Sequence, residues 1–269
     1  MVPRREAGND ARGVPAFGKV MKVAIGLGLT ALNARKTKVD LVRKIRASAK
    51  PNAYAYPDLQ AYVGSPYPVL GLTTPQMRSI LQAFRREHRG LSAKELNSLA
   101  KAMWSGPTFD EKSFAISLLN AHRPTLDDAS WKLADSWVER AIGWALSDGL
   151  ASGPIAGMVY PKPGRYQELL RWTKSPSIWR RRAATYAMHD FVLAGELDKP
   201  FQLLEKLVYD DEFWVQRAVG TWLRECWKQD RRRTESFLRA HARGLPRVVI
   251  TVATERATKS FREELRRKR

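Results

Sequence analysis

From residue 36 onward apolar residues recur at three- and four-residue spacing, and runs of β-branched residues are scarce. That pattern restricts the chain to packed helices. Pro57 to Val63 reads as a short helix with proline at its first position, and Thr74 stands as a cap before Pro75. Ser92 to Trp104 and Thr108/Asp110 to His122 follow, both opened by capping residues. Leu126 to Asp148, and on to Met158, holds one or two helices, ended by the break at Pro161-Lys-Pro163-Gly164. Further helices are expected at 165–173, 176–194, 199–208, 211–228, 231–241 and 246–257. Connections are short, and helix pairs recur roughly every 35 to 40 residues, the period of HEAT-like arrays. The expected fold is all-α, a HEAT-like helical-repeat solenoid with an extended, basic concave face. An irregular helical bundle fits the same periodicity.

The charge is large and unevenly placed. The chain carries 47 Lys and Arg against 27 Asp and Glu, a net +20. Residues 1–50 hold a net +9 and residues 215–269 a net +10, against +1 for the long middle. Such ends point to a polyanion, either nucleic acid or an anionic membrane. Trp, Val, Leu and Phe interleave with the arginines of 215–257, as in a packed helix rather than a solvated tail.

The apolar run from Val23 to Leu32 is about half the length needed to cross a bilayer, so neither a membrane span nor export is expected. Its Gly26-x-Gly28-x-x-Ala31 loosely matches a dinucleotide fingerprint. It lacks the βαβ context, since Lys36 to Ala49 reads as a basic amphipathic helix. A lone cysteine, Cys226, rules out an internal disulfide, and the four scattered histidines offer no His-built metal site. No cofactor is implied. The expected organisation is a basic, flexible segment at 1–35, one HEAT-like domain at 36–257 and a charged tail at 258–269.

Three segments carry possible chemistry. Trp144-Ala-Leu-Ser-Asp148 puts an indole and a carboxylate on one helix face, one turn apart. The same spacing fits a core tryptophan beside a capping aspartate ahead of Gly149. In Trp179-Arg180-Arg181-Arg182-Ala-Ala-Thr-Tyr186 the arginines point about 100° apart, so at most one or two face one ligand. An arginine triplet is also commonly a solvated face, but here the surrounding helix is apolar. The stretch from Asp211 to Glu225 mixes Phe213, Trp214 and Trp222 with Arg217 and Arg224, which suits phosphate contacts plus stacking on a base or sugar. Trp214 and Trp222 also fit as core anchors.

Taken in order, these segments resemble the DNA alkylation repair family of HEAT-like DNA glycosylases (AlkD-like). The likeness opens at Leu59-Gln-Ala-Tyr62 and Leu70-Gly71-Leu-Thr-Thr-Pro75-x-x-Arg78. It continues through Leu96 to Leu119, Trp144 to Leu150, Ile178 to Ala184 and Phe213 to Glu225, and ends near Leu245-Pro-Arg247. It covers about 200 residues and leaves out 1–50. The resemblance implies a solenoid whose positive concave surface wraps duplex DNA, and excision of N3-methyladenine and N7-methylguanine without a metal or a base-flipping pocket. By position, Trp144 and Asp148 match the family's active-site tryptophan and catalytic carboxylate, and Arg182 its DNA-backbone arginine near the lesion. Tyr62 matches a DNA-facing tyrosine, and Trp214 takes the place of a family aromatic. Arg181, Arg217, Trp222 and Arg224 complete the expected DNA-contacting set.

The chain departs from the family at two positions. Ala145 stands where an aspartate is usual, and Thr221 stands at the second active-site tryptophan, with Trp222 one residue and about 100° away.

The implied chemistry follows from the lesion. Alkylation makes the purine cationic and a good leaving group, and a fixed carboxylate stabilises the sugar cation left behind. An indole face favours that cation as well. The expected partner is double-stranded DNA with alkylated bases, met by a monomer in the cytoplasm at the nucleoid, with no membrane involved. Two alternatives stay open: a non-catalytic DNA-binding module on the same scaffold, and a helical scaffold for RNA or an acidic protein.

Overall fold

A computed structural model describes residues 32–50 and 58–268. The expected N-terminal segment up to residue 31, the start of the apolar run and Pro57 lie outside the described residues. Within them the chain forms α1 (Ala34–Ser48), α2 (Leu59–Val63), α3 (Thr74–Glu87), α4 (Ala93–Trp104), α5 (Phe109–Ala121), α6 (Asp128–Asp135), α7 (Trp144–Leu150) and α8 (Ala156–Val159). The expected break is only Pro161 and Lys162, since Pro163 and Gly164 open α9 (Pro163–Trp172), followed by α10 (Ile178–Tyr186), α11 (His189–Leu193), α12 (Asp198–Glu205), α13 (Phe213–Gln229), α14 (Arg231–His241), α15 (Arg247–Ala253) and α16 (Lys259–Lys268). No strand occurs among the described residues.

Helix starts are set by local chemistry. Thr73, Ser92, Thr108 and Asp127 each accept the backbone N–H three residues on, and the side chain at that position reaches back to the cap's own N–H. The cap of α3 is therefore Thr73, not Thr74, and Pro75 sits in the first turn where its missing N–H costs nothing. Asp58 caps α2, so that helix begins at Leu59. The boundary expected between residues 35 and 36 falls inside α1.

The long helix pieces expected at 126–158 and 176–194 are cut more finely. Gly143 at φ +91° ends one run ahead of α7. The wide π-type turn Ala151–Ile155, holding Gly153 and Pro154, separates α7 from α8. Ala187 and Met188 part α10 from α11. The segment read as a charged tail carries α16, which is amphipathic and buries Phe261 and Leu265 while its basic residues face solvent.

Successive helices α3, α5, α7, α10, α13 and α15 pack each on the next, and the other helices lie against this row. The result is a HEAT-like helical solenoid. Small residues set the closest approach. A Cβ on Gly220 of α13 would lie 2.8 Å from the Val252 side chain and 3.2 Å from the Val249 carbonyl, so α13 and α15 touch backbone to side chain there. Among the described residues no helix is long and apolar enough to cross a membrane.

Candidate active site

The site begins where α2 ends. Gly64 closes α2 at φ +66°, and a Cβ on Gly143 would stand 2.5 Å from the Gly64 carbonyl oxygen and 2.6 Å from that of Val63. Only glycine allows this approach at φ +91°. The contact starts α7 directly against α2. There the Trp144 indole Nε1–H donates to the Tyr62 carbonyl at 2.6 Å, and the two rings meet edge to face at 5.4 Å. Tyr62 is 44% exposed and Trp144 half-buried. Beside them opens a cavity of about 410 Å³, lined in part by Met77, Phe109, Asp110 and Ser117. Asp110 accepts the backbone N–H groups of Leu70 (2.6 Å) and Leu72 (2.9 Å), and burial pushes its carboxyl above the ordinary range.

One turn along α7 stands Asp148. Arg182 of α10 donates Nε to Oδ1 and Nη2 to Oδ2, both at 2.7 Å. The third nitrogen, Nη1, donates to the carbonyl of Trp214. The guanidinium also lies 5.0 Å from the Tyr186 ring and 5.7 Å from that of Trp214. The pair is nearly dry: the side chains are 5% and 15% exposed. Burial pushes the Asp148 carboxyl above its ordinary range, while the hydrogen bonds and charge of Arg182 and the Tyr186 hydroxyl pull the other way. Burial, with Asp148's charge adding to it, raises the Tyr186 phenol.

The arginine triplet divides as its 100° spacing requires. Arg180 bonds Asp135 (2.6 Å) and Glu139 (3.0 Å) and lies over Trp172. Arg181 holds both oxygens of Asp210 at 2.7 and 3.1 Å and donates to the Ser175 carbonyl at 2.9 Å. Arg181 and Arg182, both expected among the DNA-contacting residues, are each paired with a largely buried carboxylate. A guanidinium in such apolar surroundings needs a partner, because an unpaired charge out of water is costly.

The remaining expected contacts separate. Trp214 is half-buried, with Trp179 at 6.2 Å and the half-exposed Phe213 at 5.3 Å. Arg217 is exposed, lies 5.8 Å over Phe213, and has no carboxylate partner among the described residues. Arg224 is paired with Glu225 and Glu255. Trp222 is a correction: it is 5% exposed, edge-on to Tyr186 at 5.4 Å, and its Nε1 has no hydrogen-bond partner among the described residues. The register of α13 turns it into the core, the anchor its pattern also fitted. Its neighbour Thr221 is half-buried. Tyr186 belongs to the site and went unassigned in sequence. Its four-residue spacing from Arg182 was the available signal.

A family model described as DNA alkylation repair enzyme matches residues 42–257. No curated protein matches the chain. Solved structures do. A predicted DNA alkylation repair enzyme from Enterococcus faecalis superposes with a TM-score of 0.65 at 15% identity, over 75% of this chain and 93% of that one. AlkD2 from Streptococcus mutans gives 0.59 at 13% identity, over 82% and 98%. The protein smu.31 from Streptococcus mutans UA159 gives 0.55 at 16%, over 66% and 92%. At such identities the likeness speaks for the fold, whereas the family match spans most of the chain. This chain belongs to the family of DNA alkylation repair enzymes.

Proposed function

We propose that this chain is a monomeric DNA glycosylase, acting at the nucleoid, that removes cationic alkylated purines such as N3-methyladenine and N7-methylguanine from duplex DNA. The observation that carries the reading is Asp148, a carboxylate fixed on both oxygens and set one helical turn from the half-buried indole of Trp144. In the reaction the bond from the sugar C1′ to the purine nitrogen breaks. Its electron pair goes to the base and cancels the lesion's positive charge. Water adds its oxygen to C1′ and one proton is released. Positive charge on the sugar peaks between these events, and a preorganised anion in a dry setting stabilises it there. The Trp144 face adds a cation–π contribution. Arg217 and the basic end of the chain would hold phosphates along a concave surface, giving strongly salt-dependent affinity.

A second reading, a DNA-binding scaffold without chemistry, draws on one observation. Where the family resemblance expects a second active-site tryptophan this chain has Thr221, and Trp222 points into the core. The deciding experiment measures base release from methylated duplex DNA by the native protein and Asp148→Asn at matched salt. Release by the native protein alone supports the glycosylase. No release, with salt-dependent DNA binding by both, leaves the scaffold.

A further inference from the structure

We propose that the cavity beside Trp144, walled by α2, α3, α5 and α7, is a binding pocket for the alkylated base itself, taken out of the duplex stack. The proposal rests on the glycosylase reading and adds to it the place where the leaving purine sits. The family resemblance implies no such pocket. This chain nonetheless has a cavity of about 410 Å³ directly against the indole, within the usual range of small-molecule sites, about 300–1,000 Å³.

The lining combines two chemistries. Tyr62, Met77, Phe109 and Trp144 supply apolar and aromatic surface. Asp110, Ser113 and Ser117 follow one another at three and four residues on α5, so they share one face of that helix, and all three line the cavity. The rest of α5 is core, with Phe114, Ala115, Ile116, Leu118 and Leu119 buried. Neither serine hydroxyl, both on half-buried residues, has a hydrogen-bond partner among the described residues. Asp110 is 2% exposed and takes one backbone N–H on each oxygen, from Leu70 and Leu72. Each oxygen keeps an acceptor position. No cation pairs with this carboxylate among the described residues, and burial holds it above its ordinary range; an arriving cation would favour its ionised form.

A ligand that satisfies this lining has flat π-faces, a polar edge and a positive charge. A cationic alkylpurine has all three. Its faces stack on the aromatic wall, its edge meets the serine hydroxyls, and its charge meets Asp110 and the rings. An undamaged base has the faces and the edge but lacks the charge. Asp110 is then the counter-ion of the base, as Asp148 is of the sugar. The placing fits the reaction, because Asp148 lies one turn, about 6 Å, beyond Trp144 along the same face of α7. A base held against the indole keeps its sugar within reach of that carboxylate. The 44% exposure of Tyr62 puts the mouth of the cavity at the surface. Beside the indole the wall is only the methyl of Ala145, which leaves the space open.

The test uses the full chain, native and as Ser117→Leu and Asp110→Asn, with 7-methylguanosine and guanosine as ligands at pH 6, where the methylated base is a cation. Isothermal titration gives the nucleoside affinities; unmodified-duplex affinity, melting temperature and base release from methylated duplex are measured alongside. The native protein should bind 7-methylguanosine about tenfold or more tighter than guanosine. Ser117→Leu grows into the empty cavity and should weaken 7-methylguanosine by about tenfold or more. Its affinity for unmodified duplex should stay within about twofold, since phosphate contacts carry that binding. Asp110→Asn should abolish the preference for the methylated nucleoside. A native protein that takes up no 7-methylguanosine, an unchanged affinity in Ser117→Leu, or a preference kept in Asp110→Asn would overturn the proposal. If Ser117→Leu fails to fold, Ser113→Leu, one turn earlier on α5, decides it. A native protein that releases no base defeats the glycosylase reading instead. The nucleoside titrations, which need no turnover, then decide the pocket on their own.

Discussion

Arg182 occupies both carboxylate oxygens of Asp148 at 2.7 Å each, joining α10 to α7 across 34 residues of sequence. A third bond, to the Trp214 carbonyl, ties the same guanidinium to α13. One side chain thus ties together three successive helices of the row, and the carboxylate proposed for the chemistry is part of the frame. A planar, always-charged fork suits this task, because its donors match a carboxylate pairwise and still leave one for a carbonyl.

Removing that fork strands a buried carboxylate. Arg182→Ala should lower unfolding stability by about 3–5 kcal/mol, the usual cost of breaking a buried ion pair. Arg182→Lys should recover little of it, since an ammonium cannot make the paired geometry. Urea unfolding of the three proteins checks this. An unchanged midpoint in Arg182→Ala would mean that the pair contributes nothing to holding the helices.

The direction of the Asp148 shift sets the expected pH dependence. Burial raises this carboxyl, and only its ionised form can stabilise a sugar cation. Base release should therefore climb with pH through a midpoint above the ordinary carboxylate range and level off beyond it. A profile already flat at pH 4 to 5 would contradict that assignment. Rates from single-turnover release across pH 4 to 8 give the answer.

Gly143→Ala tests the α2–α7 contact. The new methyl meets the Gly64 carbonyl at 2.5 Å in a left-handed backbone, so the start of α7 must move. The expected cost is about 1–3 kcal/mol, with the Trp144–Tyr62 hydrogen bond lost and the Trp144 fluorescence shifted. Gly149→Ala, in the same helix with nothing nearer than 3.9 Å, is the control and should be tolerated. Equal effects from the two substitutions would rule out the contact as the cause.

Two arginines that look alike in sequence should behave oppositely. Arg217→Ala should weaken duplex binding similarly for all sequences and reduce the salt slope by about 1, as loss of one phosphate contact does. Arg181→Ala should leave the salt slope alone and lower the melting temperature, because Arg181 serves the buried Asp210. Salt titrations of binding beside thermal melts separate the two. A common response in both assays would refute the division.

The sequence alone determined the helical class, most helix starts and the placing of Trp144 and Asp148 on one face. These rest on interactions within three or four residues: a capping hydroxyl, a period of 3.6, a proline in a first turn. Partner choice over long range was decided only in the fold. Arg181 and Arg182 are adjacent, yet one turns to Asp210 and the other to Asp148. Trp222 and Thr221 are adjacent too, yet the indole lies in the core and the threonine is only half-buried. A step of about 100° along a helix separates each pair, and what waits on each side is set by segments 29 or more residues away. Local pattern reports the angle, and only the packed helices supply the neighbour at that angle.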